Sequence, residues 1–354
     1  MLNRFSAPGW LPRLFGLMGP GGLMGVGGLM GVGGLMGLGS LMALGSLMAL
    51  GGLIGLAGAL AVCPPAMART LLVGPTRALT VPSAAAAVAA DGDTIQIDPG
   101  SYTDCAVWRQ SHLTIAASGA GVILRERVCQ NKGIFVTVGD DITIRGIGFE
   151  GARAPAHNGA GIRAEGANLT LVATRFLDNE NGILAASNPA STIRILDSEF
   201  RANGVCARQC AHGIYINKVA LLDIERSLFV DQHIGHHVKS RALRTVLIDD
   251  TITDGPDGTS SYLVDLPNGG DFLMRGCTLE KGPDSDQPQV AVTIGEEGLI
   301  NPTRQIEVID NSFRNDLTRP TIFLRNVTNV PATLVGNRFS GPVVVLDGPG
   351  TIRP

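Results

Sequence analysis

Nine residues, His233 to Arg241, read HIGHHVKSR and bring together three of the six histidines, a lysine and an arginine. A near-copy, HGIYINK, precedes it at His212–Lys218, and SYLVD follows at Ser261–Asp265. With the glycines of GIYIN and GHHVK aligned, Tyr215 falls beside His237, and Asn217 beside Lys239 and Asp265. Alternate residues of a half-buried strand face opposite sides. With Ile214, His236 and Tyr262 inward, the outward set is Tyr215, His237, Lys239 and, two residues on, Arg241. We take these four as candidate catalytic residues, and Asn217, Asp265, Lys218 and Arg163 as candidate binding residues. Arginine pairs bidentately with carboxylates; His237 or Lys239 would serve as a base and Tyr215 as an acid. The competing reading is a surface ion pair between Lys239 and Asp265, with Tyr215 merely packed on a neighbour.

Other residues point to chemistry less strongly. Asp249-Asp250 has the look of paired carboxylates, but Asp250 sits where other repeats carry Ser198, Ser227 and Asn311, which makes it a turn residue. Asp254 and Asp257 lie in DGPDG and are read as turn formers; they offer oxygens of the kind calcium takes, at a spacing that matches no established loop. His212, His233, His236 and His237 fall on different faces, so neither a metal site nor any cofactor is expected. Cys105 and Cys129 stand about one coil apart, and Cys206 and Cys210 bracket a short loop; both pairs are read as disulfides, ahead of a metal site at Cys206/Cys210.

The element that must position these residues is a repeat. Phe149, Phe176, Phe200, Phe229, Ile252, Leu279, Phe313 and Phe339 recur about every 27 residues. Two residues before each runs a second series: Ile147, Thr174, Ser198, Ser227, Asp250, Cys277, Asn311 and Asn337. After each apolar residue comes a turn rich in Asn, Asp or Gly, then a short β-branched strand such as GIRAE, GILAA or GIYIN. Short strands with no room for crossover helices must stack coil on coil and pair in parallel. The expectation is an all-β chain, a right-handed single-stranded parallel β-helix of roughly nine or ten coils. Ser83 is read as the N-cap of a short capping helix running along the alanines to Ala90.

This solenoid is expected over residues 69–354, after a leader at 1–68. No charged residue lies between Arg13 and Arg69, and a six-residue Leu-Met/Leu-Ile unit recurs from Leu17 to Leu53. With Arg4 and Arg13 before it and Ala66-Met67-Ala68 after it, the leader reads as an export signal cleaved near Ala68; left uncleaved, it would tether the protein to a membrane. Without the two leader arginines, 26 basic residues face 31 acidic ones, a net charge of −5. No basic tract survives, which argues against nucleic acid as a partner. A monomer is expected.

The two ladders, the alanine-rich stretch and the IDPGSY turn at Ile97–Tyr102 resemble the pectin-lyase-like superfamily of parallel β-helices. The resemblance spans Thr70 to Pro354. It implies a polysaccharide partner, with polysaccharide lyases, glycoside hydrolases, C5-epimerases and pectin esterases as possible chemistries. A uronate lyase or epimerase needs the carboxylate clamp and proton transfer already assigned to Tyr215, His237, Lys239 and Arg241. The Asp-Pro-His segment of the epimerases is absent from the sequence, as are the calcium-binding aspartates of pectate lyases and the aspartate triad of the hydrolases. A non-catalytic polysaccharide-binding or envelope-assembly scaffold is the alternative.

Overall fold

The computed structural model describes residues 68–354; the leader, its cleavage and any tethering lie outside the described residues. Three parallel sheets of twelve, ten and ten strands wrap the chain into ten complete three-strand coils, with one further strand of the first sheet at each end. The strands are three to nine residues long. Each pairs only with its counterparts one coil before and one coil after, so residues of one type stack along the axis. Coils spaced at about 4.8 Å make a rod on the order of 50 Å long.

The apolar series of the sequence is the inner column of the second sheet. Phe149 pairs with Phe176, Phe176 with Phe200, Phe200 with Phe229, and the run continues through Ile252, Leu279 and Phe313 to Phe339. The rings of Phe176, Phe200 and Phe229 are stacked at 4.6 and 4.5 Å between centroids, within 7° of parallel. The first sheet supplies a facing column of fully buried aliphatics, among them Ile95, Ile144, Leu171, Ile195, Ile224, Leu247 and Val308. Inward positions of all three sheets therefore form one continuous apolar core.

The second series lies at the corner between the first and second sheets. One residue in the left-handed region turns the chain there, as at Asp197 (φ 51°), Asp249 (φ 56°) and Asp310 (φ 55°). The next residue turns a polar side chain back toward the preceding coil. Ser198 Oγ accepts the Thr174 amide at 3.1 Å, Ser227 Oγ accepts that of Ser198 at 3.2 Å, and Asp250 Oδ1 accepts that of Ser227 at 2.8 Å. Asn311 and Asn337 continue the pattern. Asp249-Asp250 is thus a corner and a ladder rung. A five-residue helix, Pro82–Ala86, follows the first strand; it starts from Val81 rather than Ser83 and stops short of Ala90. Ser83 is inside that helix, and its amide donates to Asp104 Oδ2 at 2.8 Å.

Both disulfides are formed, Cys105–Cys129 between neighbouring coils and Cys206–Cys210 across a short loop. Cys277 is free and buried on the corner ladder.

Candidate functional site

Of the candidate residues, Tyr215, Lys239, Arg241 and Asp265 meet on the outer face of the third sheet. Its strands Ile214–Ile216, Val238–Ser240 and Val264–Leu266 are consecutive. The register aligns Ile214 with Val238 and Val264, and Tyr215 with Lys239 and Asp265. One outward column therefore reads Arg163, Leu184, Tyr215, Lys239, Asp265, Thr293, Arg325 and Asp347.

This corrects the alignment taken from the glycines. The β-branched residues, not the glycines, are in register, and they move HIGHHVKSR by two positions. His236, not His237, follows His212: the two imidazoles stack at 4.7 Å, and Tyr262 stacks on His236 at 5.0 Å. His236, its side chain 12% exposed, and the partly buried Tyr262 lie in the outer layer and are not core residues. His237 takes the place of Gly213, just ahead of its strand, and is buried. Its Nε2 lies 3.0 Å from Asp254 Oδ1. Asp254, expected only to shape a turn, is fully buried. It accepts hydrogen bonds from the Gly282 amide and from Ser285 Oγ, and lies 3.6 Å from Lys281 Nζ. Burial alone would raise the pKa of Asp254, but His237 and Lys281 reverse that and hold it well below the usual carboxylate range. This polar knot has no outlet to solvent, so His237 does not join the outer face.

The other three candidate catalytic residues do meet there. Arg241 donates from Nε to Tyr215 Oη at 2.9 Å, and a second guanidinium nitrogen donates to Asn268 Oδ1. Lys239 Nζ lies 2.9 Å from Asp265 Oδ2 and 2.7 Å from Glu297 Oε1. Arg241 binds the other oxygen of Glu297. Both cations flank the Tyr215 ring, Lys239 Nζ at 5.8 Å and Arg241 Cζ at 5.6 Å from its centroid. His212 meets the same ring edge-on at 5.3 Å.

Of the candidate binding residues, Asp265 belongs to this cluster. Asn217 follows Tyr215's strand and donates from Nδ2 to the Ala185 carbonyl at 2.7 Å, so its amide is committed to the coil beneath. Arg163 stands two rungs below Tyr215 and 3.4 Å from Glu165. Lys218 is half-buried in the turn and makes no ion pair with a described residue. Asn268, Glu297, His212 and His236 were not singled out as site residues. Alignment on the β-branched residues reveals the histidine column; Glu297 reaches the site from 56 residues beyond Arg241, a distance no local pattern spans.

Burial and charge set the protonation states. Burial pulls the Lys239 ammonium down, but Asp265 and Glu297 outweigh it and hold it above the ordinary lysine value. Asp265 is raised to about 6 by burial, against the pull of Lys239. Burial pushes His212 down to about 3 and His236 well below its ordinary value, so both are neutral. Their tautomers follow from their partners. His212 Nδ1 accepts the His236 amide at 3.0 Å and His236 Nδ1 accepts the Tyr262 amide at 3.1 Å, which leaves each proton on Nε2. His236 Nε2 then faces Asp265 Oδ2 at 3.4 Å.

Among the described residues no group of three His, Cys, Asp or Glu is arranged to hold a metal ion, and no helix is long and apolar enough to cross a membrane. A groove of about 320 Å³ lies elsewhere, on the second sheet between Gly146, Arg175 and Glu199. Its two arginines, Arg175 and Arg201, already pair with Glu199, and no tyrosine or histidine lines it.

The architecture is that of a right-handed parallel β-helix. No protein-family model and no curated protein matches the sequence. Solved structures match the fold. Pectate lyase Pel9A superposes with a TM-score of 0.54 at 16% identity, over 79% of this chain and 78% of that one. An alginate lyase from Paenibacillus sp. str. FPU-7 superposes with a TM-score of 0.50 at 14% identity, over 80% of this chain and 99% of that one.

Proposed function

We propose that this is an exported β-helix protein that acts on a uronate-containing polysaccharide along the outer face of the third sheet. Its chemistry would be proton removal α to the carboxylate, leading to β-elimination or C5-epimerisation. The observation that carries the reading is the 2.9 Å contact from Arg241 to Tyr215 Oη, with Lys239 on the same ring. It sets a proton-transfer oxygen beside two groups that bind a carboxylate. The solved structures that share the fold and pass a TM-score of one half include lyases named for pectate and alginate, both acidic polysaccharides. Two disulfides fit an oxidising compartment.

The roles differ from those read in the sequence. Lys239 stays protonated, so it binds the carboxylate with Arg241 rather than acting as base, and both cations stabilise the charge that develops when the α proton leaves. Tyr215 Oη, as phenolate, takes the proton from C5. In elimination the C5–H electron pair forms the C4–C5 double bond, the C4–O bond breaks, and the departing oxygen receives the proton from Tyr215. In epimerisation C5 takes a proton from solvent water on its opposite face, and the hydroxide left behind recovers the proton held by Tyr215. Asp265, itself faced by the Nε2 proton of His236, holds Lys239 in place.

Incubation with pectate, alginate and other uronate polymers should yield unsaturated products absorbing in the ultraviolet, or an altered C5 configuration. Tyr215→Phe should remove that activity with little change in melting temperature, whereas His237→Ala should destabilise the fold by breaking a buried pair, at a cost of about 3–5 kcal/mol. Saccharide binding without bond change across the whole panel would instead favour the non-catalytic scaffold, a role that fully compensated cations also suit.

A further inference from the structure

Glu297 differs from every other partner in the cluster. Asp265, which also binds Lys239, has a side chain only 4% exposed, whereas that of Glu297 is 48% exposed. It lies across the outside of the cation pair and bridges Lys239 Nζ and the Arg241 guanidinium with its two oxygens. A uronate carboxylate arriving from solvent would take that same bridging position. Neither cation depends on Glu297 for its placement: Arg241 keeps Tyr215 and Asn268, and Lys239 keeps Asp265.

Its neighbour repeats the arrangement. Glu296 Oε2 accepts a hydrogen bond from Tyr262 Oη at 2.9 Å, and Glu296 Oε1 accepts one from Arg325 at 3.1 Å. Arg325 stands three rungs beyond Lys239 in the same outward column. Two adjacent glutamates thus bind cations at two points along the rod axis, Arg325 being shared with Asp347. They sit between Gly295 (φ 93°) and Gly298 (φ 99°), both in the left-handed region where glycine turns most freely. The loop continues into the exposed Leu299 and Ile300.

We propose that Glu296 and Glu297 are an internal stand-in for two carboxylates of an acidic polysaccharide, and that the polymer binds by displacing the Gly295–Gly298 segment. This rests on the reading of the third-sheet face as a uronate site and assigns its regulation. A tethered competitor lowers apparent affinity by the fraction of time it occupies the site. It also favours ligands that bring several carboxylates over a monosaccharide that brings one.

Calorimetric titration of the full chain tests the proposal. The probes are hexagalacturonate and hexamannuronate, with neutral cellohexaose as control, in a Tyr215→Phe background that keeps the saccharide uncut. Adding Glu297→Ala should lower the Kd for at least one hexauronate about tenfold, as loss of one charge-assisted contact predicts. Adding Glu296→Ala should lower it further, and cellohexaose should not respond. Unchanged or weaker hexauronate binding by the Glu297→Ala protein overturns the displacement proposal. An Arg241→Ala protein separates the two ideas. If it loses hexauronate binding while Glu297→Ala brings no gain, the site reading stands and only displacement fails. If no variant binds either hexauronate, both fail.

Discussion

At the scale of single residues, two acids illustrate how a position in the solenoid, rather than a residue type, sets the chemistry. Asp265 is buried against a lysine and faces outward; Asp250 is buried on the corner ladder with no cation near it. Asp250 Oδ1 accepts the Ser227 amide, but Oδ2 has no partner. Burial raises Asp250 to about 7. Equivalent rungs carry Asn311 and Asn337, whose Nδ2 groups donate to the carbonyls of Met274 and Val308 in the coil below. A protonated Asp250 can donate in the same way; an ionised one cannot. Because its folded value lies above its ordinary one, the native state holds the proton more tightly than the unfolded chain. The associated stability is complete below pH 4 and is lost as pH rises towards 7. Asp250→Asn should therefore match the wild type in urea unfolding near pH 4 and exceed it at pH 8 by about 1–3 kcal/mol. Equal differences at both pH values would show that Asp250 does not carry this proton.

At the scale of strands and turns, most of the fold was legible in the sequence. The Phe/Ile/Leu series and the small polar series recur because stacked coils bring every corner and every inner position into register, and each assigned member sits where the repeat placed it. The site was only partly legible. Tyr215, Lys239, Arg241 and Asp265 were found because they alternate outward from β-branched residues. His237 was misassigned because the chain enters its strand through a tight turn at Ile234 (φ 42°) and Gly235 (φ 82°), which offsets the glycine from that of the preceding coil. The glycine of the repeat has its own cause. A Cβ on Gly182 would lie 2.5 Å from the Gly213 carbonyl oxygen and 2.8 Å from the Phe200 ring, and Gly161 and Gly213 are equally hemmed in by the next coil. Gly235 is held by a different clash, with the Ala211 carbonyl. Backbone cannot yield as a flexible side chain can, so Gly182→Ala should cost about 1–3 kcal/mol by overpacking. Chemical denaturation checks this, and a loss within the roughly 0.5 kcal/mol of an ordinary surface change would mean that the coils can part without penalty.

At the scale of the whole molecule, each coil touches only its neighbours, so stability is close to a sum of coil and interface contributions. Those contributions are uneven along the rod. Near its start, Cys105–Cys129 ties adjacent coils covalently, and Trp108, Phe135 and Phe149 interlock edge to face at 5.4 and 5.1 Å. The centre holds the parallel phenylalanine stack and the His237–Asp254–Lys281 knot, all inaccessible to water. Towards the last strands burial fades: Val344 is 44% exposed, Ile352 is 58% exposed, and every residue of Gly350–Arg353 is exposed. Local opening free energy follows buried apolar contact. Amide hydrogen exchange should accordingly begin in the strands 338–353 and move inward coil by coil, with the amides of 176–252 protected longest. Removing the Cys105–Cys129 bridge alone, by Cys105→Ser with Cys129→Ser, should speed exchange around it and leave that central block, which keeps Cys206–Cys210, unchanged. A single exchange rate shared by all three sheets from end to end would mean that the rod opens as one cooperative unit, and that the core stack does not set its stability.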